Sequence, residues 1–156
     1  MTSFEKVYKA FLGKVTEDDW EDPTLLESYE DLWRDYLLSA ISYFKFPRIG
    51  LDLDENETYF INDLTTAEIQ VLADYMKVEW LQANINTWEK IKTDYGEKDF
   101  SQANLLDKLD KTLKTAIDRA LRRERNYYRS INGKPYDYSQ LAGGNNNGRK
   151  TKSRLY

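Results

Sequence analysis

Leu64-Thr65-Thr66-Ala67-Glu68-Ile69-Gln70-Val71-Leu72-Ala73-Asp74-Tyr75-Met76 is the stretch whose reading decides the fold. Thr65 followed three residues later by Glu68 fits a capping box, in which each side chain serves an amide the helix start leaves bare. Leu64 before the cap and Ile69 after it fit a hydrophobic staple. Beyond them Ile69, Leu72, Ala73, Met76, Trp80 and Ala83 recur at helical spacing and predict a long helix. The face continues less cleanly through Ile85, Trp88 and Ile91 to Tyr95-Gly96, and a kink is expected near Asn84-Ile85-Asn86.

The same period appears on both sides. Phe4, Val7, Tyr8, Phe11 and Leu12 predict a first helix from about Ser3 to Leu12, ended by Gly13. Asp22-Pro23 supplies a cap and a first-turn proline for a second, running to about Lys45. Its stripe is Leu25, Leu26, Tyr29, Leu32, Trp33, Tyr36, Leu37, Ala40, Ile41 and Phe44, with Pro47 and Gly50 as stops. A fourth helix starts at Ser101, with Phe100 and Leu105 as its staple. It runs through Leu106, Leu109, Leu113, Ile117, Ala120 and Leu121 toward Ile131, where Asn132-Gly133 closes it. Residues 48–64 form an acidic connector in which Leu51-Asp52-Leu53 and Tyr59-Phe60-Ile61 can pair as a short hairpin. The expected fold is all-α: a bundle of about four helices over residues 1–131, with a flexible basic C-terminal arm over residues 132–156. The arm is expected to be mobile because its Gly, Asn and basic residues bury too little apolar area to repay ordering.

Charge is segregated along the 156 residues. Residues 1–100 hold 10 Lys/Arg against 22 Asp/Glu, and residues 101–156 hold 13 against 5. A protomer that meets copies of itself, or a polyanion, has a use for that polarity. With no cysteine and no histidine, Ser–His–Asp, Cys–His and His-ligated metal chemistries are excluded. Nothing resembles a phosphate loop, and paired acids such as Asp18/Asp19 and Glu30/Asp31 sit in no site motif. No enzymatic activity, cofactor or metal is expected. The chain lacks an apolar run of membrane length and a secretory signal pattern, so it is expected to be soluble and intracellular when made, without a membrane partner.

Asp52, Asp54, Asn56, Thr58, Phe60 and Asp63 fall at positions 1, 3, 5, 7, 9 and 12 of an EF-hand-like count. However, Glu57 stands where the sharp turn needs glycine, and Asp63 where a bidentate glutamate is usual, so a solvated acidic loop is the expectation. Arg119, Arg122, Arg123, Arg125, Tyr128 and Arg129 interleave base and aromatic at the end of the fourth helix. That pattern suits contact with an acidic neighbour, phosphate contact with stacking on nucleic acid, or a helix C-terminus complementing its dipole. The overall acidic balance favours the neighbour. In the arm, Tyr136, Tyr138, Leu141, Leu155 and Tyr156 are candidate anchors between Arg149, Lys150, Lys152 and Arg154; the alternative is a solubilising end.

Several phrases together resemble a known family. They are Phe11-Leu12; Leu38-Ser39-Ala40-Ile41-Ser42-Tyr43-Phe44; Asp63-Leu64-Thr65-Thr66-Ala67-Glu68-Ile69-Gln70-Val71-Leu72-Ala73; Glu79-Trp80-Leu81-Gln82-Ala83-Asn84-Ile85-Asn86; and Lys98-Asp99-Phe100-Ser101-Gln102-Ala103-Asn104-Leu105-Leu106. In this order they resemble the head–tail connector (adaptor) proteins of siphophages of Gram-positive bacteria. The resemblance implies a structural protein of the virion neck, assembled in the host cytoplasm. Such proteins form a ring, commonly twelvefold, below the portal; it joins the capsid to the next neck or tail component and lets DNA pass without specific binding. On that reading Arg119, Arg122, Arg123, Arg125, Tyr128 and Arg129 are candidate contacts to a neighbour or the portal. Residues of the arm then dock on the portal, and Asp52, Asp54, Glu55 and Glu57 face the lumen. A nucleic-acid-binding helical protein is the alternative.

Overall fold

The computed structural model describes residues 1–15, 26–95, 100–131 and 134–135. Four helices carry the fold: α1 (Phe4–Leu12), α2 (Leu26–Tyr43), α3 (Thr66–Tyr95) and α4 (Phe100–Tyr128). Two-residue strands complete it: β1 (Thr2–Ser3), β2 (Tyr59–Phe60), β3 (Ser130–Ile131) and β4 (Lys134–Pro135). β1 pairs antiparallel with β2, Thr2 opposite Phe60, and β3 pairs antiparallel with β4, Ile131 opposite Lys134. It is an all-α bundle. No described helix is long and apolar enough to cross a membrane.

α3 is the central helix, buried on every side from Val71 to Met76. Around it cluster Phe4, Val7 and Phe11 of α1, Trp33, Leu37 and Ala40 of α2 with Phe44 just beyond it, and Ala120 and Tyr127 of α4. Its start matches the Glu68 half of the capping box: the Thr65 amide donates to Glu68 Oε2 at 2.9 Å, and the Thr65 hydroxyl donates to the same carboxylate instead of accepting an amide, while Leu64 and Ile69 join the apolar cluster. Ser3 caps α1 by accepting the Glu5 amide at 3.2 Å.

Three expectations need correction. α3 runs unbroken through Asn84–Asn86. Across this stretch the Ala83 carbonyl accepts the Thr87 hydroxyl at 2.9 Å, and the Gln82 side-chain amide donates to Asn86 Oδ1 at 3.1 Å. α4 stops at Tyr128 rather than near Ile131, and the chain turns back as the β3–β4 ribbon. Ile117 and Leu121, expected in the core, are 37% and 44% exposed. The core line of α4 is Ala116, Ala120, Glu124 and Tyr127, displaced by one residue. In that phase Glu124 is buried, with tyrosine hydroxyls as its donors. The expected start of α2 at Asp22-Pro23 lies outside the described residues, as does the arm beyond Pro135.

The connector forms its expected hairpin. Leu53 bridges Phe60, the Asp54 amide donates to the Tyr59 carbonyl at 3.1 Å, and the Ile61 amide to the Asp52 carbonyl at 2.9 Å. β1 adds to this hairpin from the far end of the chain. The Thr2 hydroxyl, itself buried, accepts the Leu64 amide at 2.8 Å, so the start of the chain fixes the approach to α3.

Candidate interaction surfaces

α1 carries opposite charge at its two ends. Near its start a cleft of ≈ 330 Å³ is lined by Glu5, Glu30, Asp31, Arg34 and Glu57, with Tyr8 as a wall. Just beyond its end a cleft of ≈ 480 Å³ is lined by Lys14, Lys77, Lys111 and Arg119 around Asp74. Nine residues from Glu5 to Lys14 place the two centres about 13 Å apart along the helix direction. Each sign also sits at the end of α1 that its dipole favours.

The basic cleft is built on a buried carboxylate. Asp74, 4% exposed, takes an ion pair from Lys14 Nζ at 2.8 Å and another from the Arg123 guanidinium. Lys14 also donates to Gln70 Oε1 at 2.7 Å, and Lys77 to the Lys14 carbonyl at 2.8 Å. Two cations offset one desolvated charge, and the node joins α3 and α4 to the end of α1. Outward from it, exposed Lys108, Lys111, Arg119 and Arg122 share one face of α4. That stripe spans about 21 Å at the helical rise. Thr112 and Thr115 lie between its cations, their hydroxyls turned back to the carbonyls of Lys108 and Lys111.

The sequence-derived candidates therefore separate. Arg119 lines the basic cleft, and Arg122, Arg125 and Arg129 are exposed. Arg123 is held within the fold by Asp74. Tyr128 is half-buried: its hydroxyl donates to Glu124 and accepts the Phe46 amide at 3.3 Å, and its ring meets Phe44 and Phe46. Arm residues Tyr136, Tyr138, Leu141, Arg149, Lys150, Lys152, Arg154, Leu155 and Tyr156 lie outside the described residues.

In the acidic loop the four carboxylates are not equivalent. Asp54 accepts the amides of Asn56, Thr58 and Tyr59 at 3.1, 2.6 and 2.8 Å, which makes it the internal brace of the turn. Partial desolvation pushes its carboxyl up, but these amide bonds outweigh that and hold it below the usual value of 3.8. Glu57 sits in the left-handed region at φ 50°, the place where a glycine is expected on steric grounds. Its carboxylate reaches Arg34 at 2.7 Å, which joins the loop to α2. Asp52 and Glu55 point to water.

Two further carboxylates, Glu68 and Glu124, are buried without a cationic partner among the described residues; sequence reading placed Glu68 only in its capping box and missed Glu124. Glu68 accepts the Tyr127 hydroxyl at 2.7 Å; that hydroxyl in turn accepts the Arg48 amide at 2.7 Å, with the Arg48 guanidinium 4.5 Å from the ring centre. Glu124 takes the hydroxyls of Tyr75 and Tyr128. Burial first, then the neighbouring glutamate, raises these phenols: Tyr127 and Tyr128 to about 12, and Tyr75 further in the same direction. The interspersed tyrosines were the available signal, because a buried phenol seeks an acceptor.

Compared with known proteins, the chain matches no family model, and no curated protein or solved structure matches it either.

Proposed function

We propose that this protein is a structural component of a phage virion, a head–tail adaptor that assembles as a ring below the portal. The observation that carries the reading is the pair of oppositely charged clefts at the two ends of α1. A ring needs heterologous contacts, in which one patch meets a different patch on the next copy. Lys111 and Arg119 on one side, with Glu5, Glu30 and Asp31 on the other, supply complementary charge for choosing partner and register. The family phrases described above support the same reading. In it the protein has no catalytic role, the exposed Arg122, Arg125 and Arg129 extend the basic contact, and the arm docks on the portal. Asp52 and Glu55 face the channel, through which DNA passes.

Light scattering on the purified full chain, with and without purified portal rings, tests the proposal. A ring-sized gain in mass on portal addition supports it. A monomer indifferent to portal overturns it and advances the second reading, nucleic-acid binding, which the 21 Å basic stripe favours (about 21 Å at the helical rise). That reading requires affinity for a DNA duplex that falls steeply with added salt.

A further inference from the structure

Several of the large apolar side chains that face water gather on one side of the molecule. Tyr43, Ile117 and Leu121 are exposed and line a groove of ≈ 480 Å³ where the end of α2 meets α3 and α4. Phe46 stands at its edge, 72% exposed, more than any other large apolar side chain among the described residues. It directly follows Lys45, which lines the groove, and its ring meets Tyr128, whose hydroxyl donates to Glu124 of the same lining. Apolar surface gathered in this way marks a contact site, because burying it against a partner is favourable. An exposed aromatic ring is a common anchor of such contacts.

The face is complementary to itself. A cavity of about 150 Å³ holds a six-membered aromatic ring, so the groove has room for Phe46 of another molecule. Lys45 beside that ring and Glu79 in the groove make no ion pair among the described residues. Glu79 accepts the Tyr43 hydroxyl, which holds its carboxylate at the groove. Because ring and groove adjoin, two copies facing each other about a two-fold axis satisfy both at once. Each ring enters the opposite groove, and each ammonium meets the opposite carboxylate. A head-to-tail arrangement would use one ring and one groove per contact and leave the others open to further copies. We propose that a second copy of this chain docks here, with Phe46 of each molecule seated on the other's Ile117–Leu121 wall and Lys45 of each facing the other's Glu79. The contact uses neither charged end of α1, so it goes beyond the adaptor reading and does not depend on it.

Sedimentation velocity of the full chain across a wide concentration range tests this. The mass is expected to rise from one chain to two and stop there. Phe46→Asp and Leu121→Asp, both at exposed positions, should each weaken association by about tenfold or more while keeping the parent's helical circular dichroism. Lys45→Glu and Glu79→Lys should each weaken it alone, because like charges then meet at both contacts. An equimolar mixture of those two variants restores both opposite pairs and should associate as tightly as the parent. A chain that stays single at every concentration overturns the proposal. So does association that survives Phe46→Asp and Leu121→Asp, or a mixture no tighter than either charge variant alone. Growth beyond two copies that persists in Lys111→Glu with Arg119→Glu, which removes the ring contact, overturns it as well. The measurement contains no portal, so its failure is distinct from failure of the adaptor reading.

Discussion

Replacing Arg123 by glutamate separates a brace of the fold from a contact surface. Arg123 faces Asp74, which is 4% exposed and has Lys14 as its other cation. Two unit charges about 4 Å apart at an effective dielectric of 20 interact by about 4 kcal/mol. Arg123 is 35% exposed, so solvent screening and rotation into water reduce the lost attraction to about 2 kcal/mol. The new carboxylate adds about 1 kcal/mol of repulsion against Asp74. A loss of about 3 kcal/mol in a chain of this size lowers Tm by roughly 6–12 °C. Arg122→Glu, one residue earlier on the exposed face, is expected to stay within about 0.5 kcal/mol of the parent. The assay is urea unfolding followed by tryptophan fluorescence and by helical circular dichroism, with thermal melts alongside. Equal midpoints for Arg122→Glu and Arg123→Glu would refute the assignment of Arg123 to the Asp74 node.

Other outcomes follow from the same contacts. Tyr127→Phe removes the hydroxyl shared by Glu68 and Arg48, and should cost about 2–3 kcal/mol in urea unfolding because a buried carboxylate loses a donor. Tyr8, Tyr127 and Tyr128, each raised to about 12, ionise later in the folded chain than in the unfolded one, where the value is 10.0. Their contribution to stability is intact below pH 10 and disappears as pH rises toward 12; absorbance at 295 nm should show a late-titrating group of tyrosines coincident with unfolding. Asp54, held low by loop amides, keeps the turn formed until pH falls below 3.8; Thr58 and Tyr59 amide shifts should change with a midpoint under that value, and a midpoint above it contradicts the bracing role. The double substitution Lys111→Glu with Arg119→Glu should abolish portal-dependent mass gain while leaving the melting temperature within about 2 °C, since both side chains are exposed.

How much of this was legible depended on the range of each interaction. The α3 start was readable because Leu64, Thr65, Glu68 and Ile69 act within one turn of each other. The hairpin of residues 51–61 was readable for the same reason. Position 57, marked by the EF-hand count as needing glycine, does adopt the left-handed conformation, although the residue there is glutamate. What sequence could not place were the pairings between elements. Asp74 and Arg123 are 49 residues apart, as are Tyr75 and Glu124. Without those partners Glu124 reads as a surface charge, and the apolar stripe of α4 is then drawn through Ile117 and Leu121. Charge polarity was visible along the chain, but its concentration at the two ends of α1 required the packing of α3, α4 and the loop.

The pairing of β1 with β2 imposes an order of events during synthesis. Thr2 and Phe4 are made before their partners Thr58, Phe60 and Leu64. Before that segment emerges, Trp33 and Tyr36 of α2 can meet Tyr8 and Phe11, but Phe4 still lacks Thr58 and Phe60, and a helix of nine residues has little stability alone. The start of α1 therefore stays open until the hairpin of residues 51–61 is made, and only the arrival of Tyr127 seals the far side of the core.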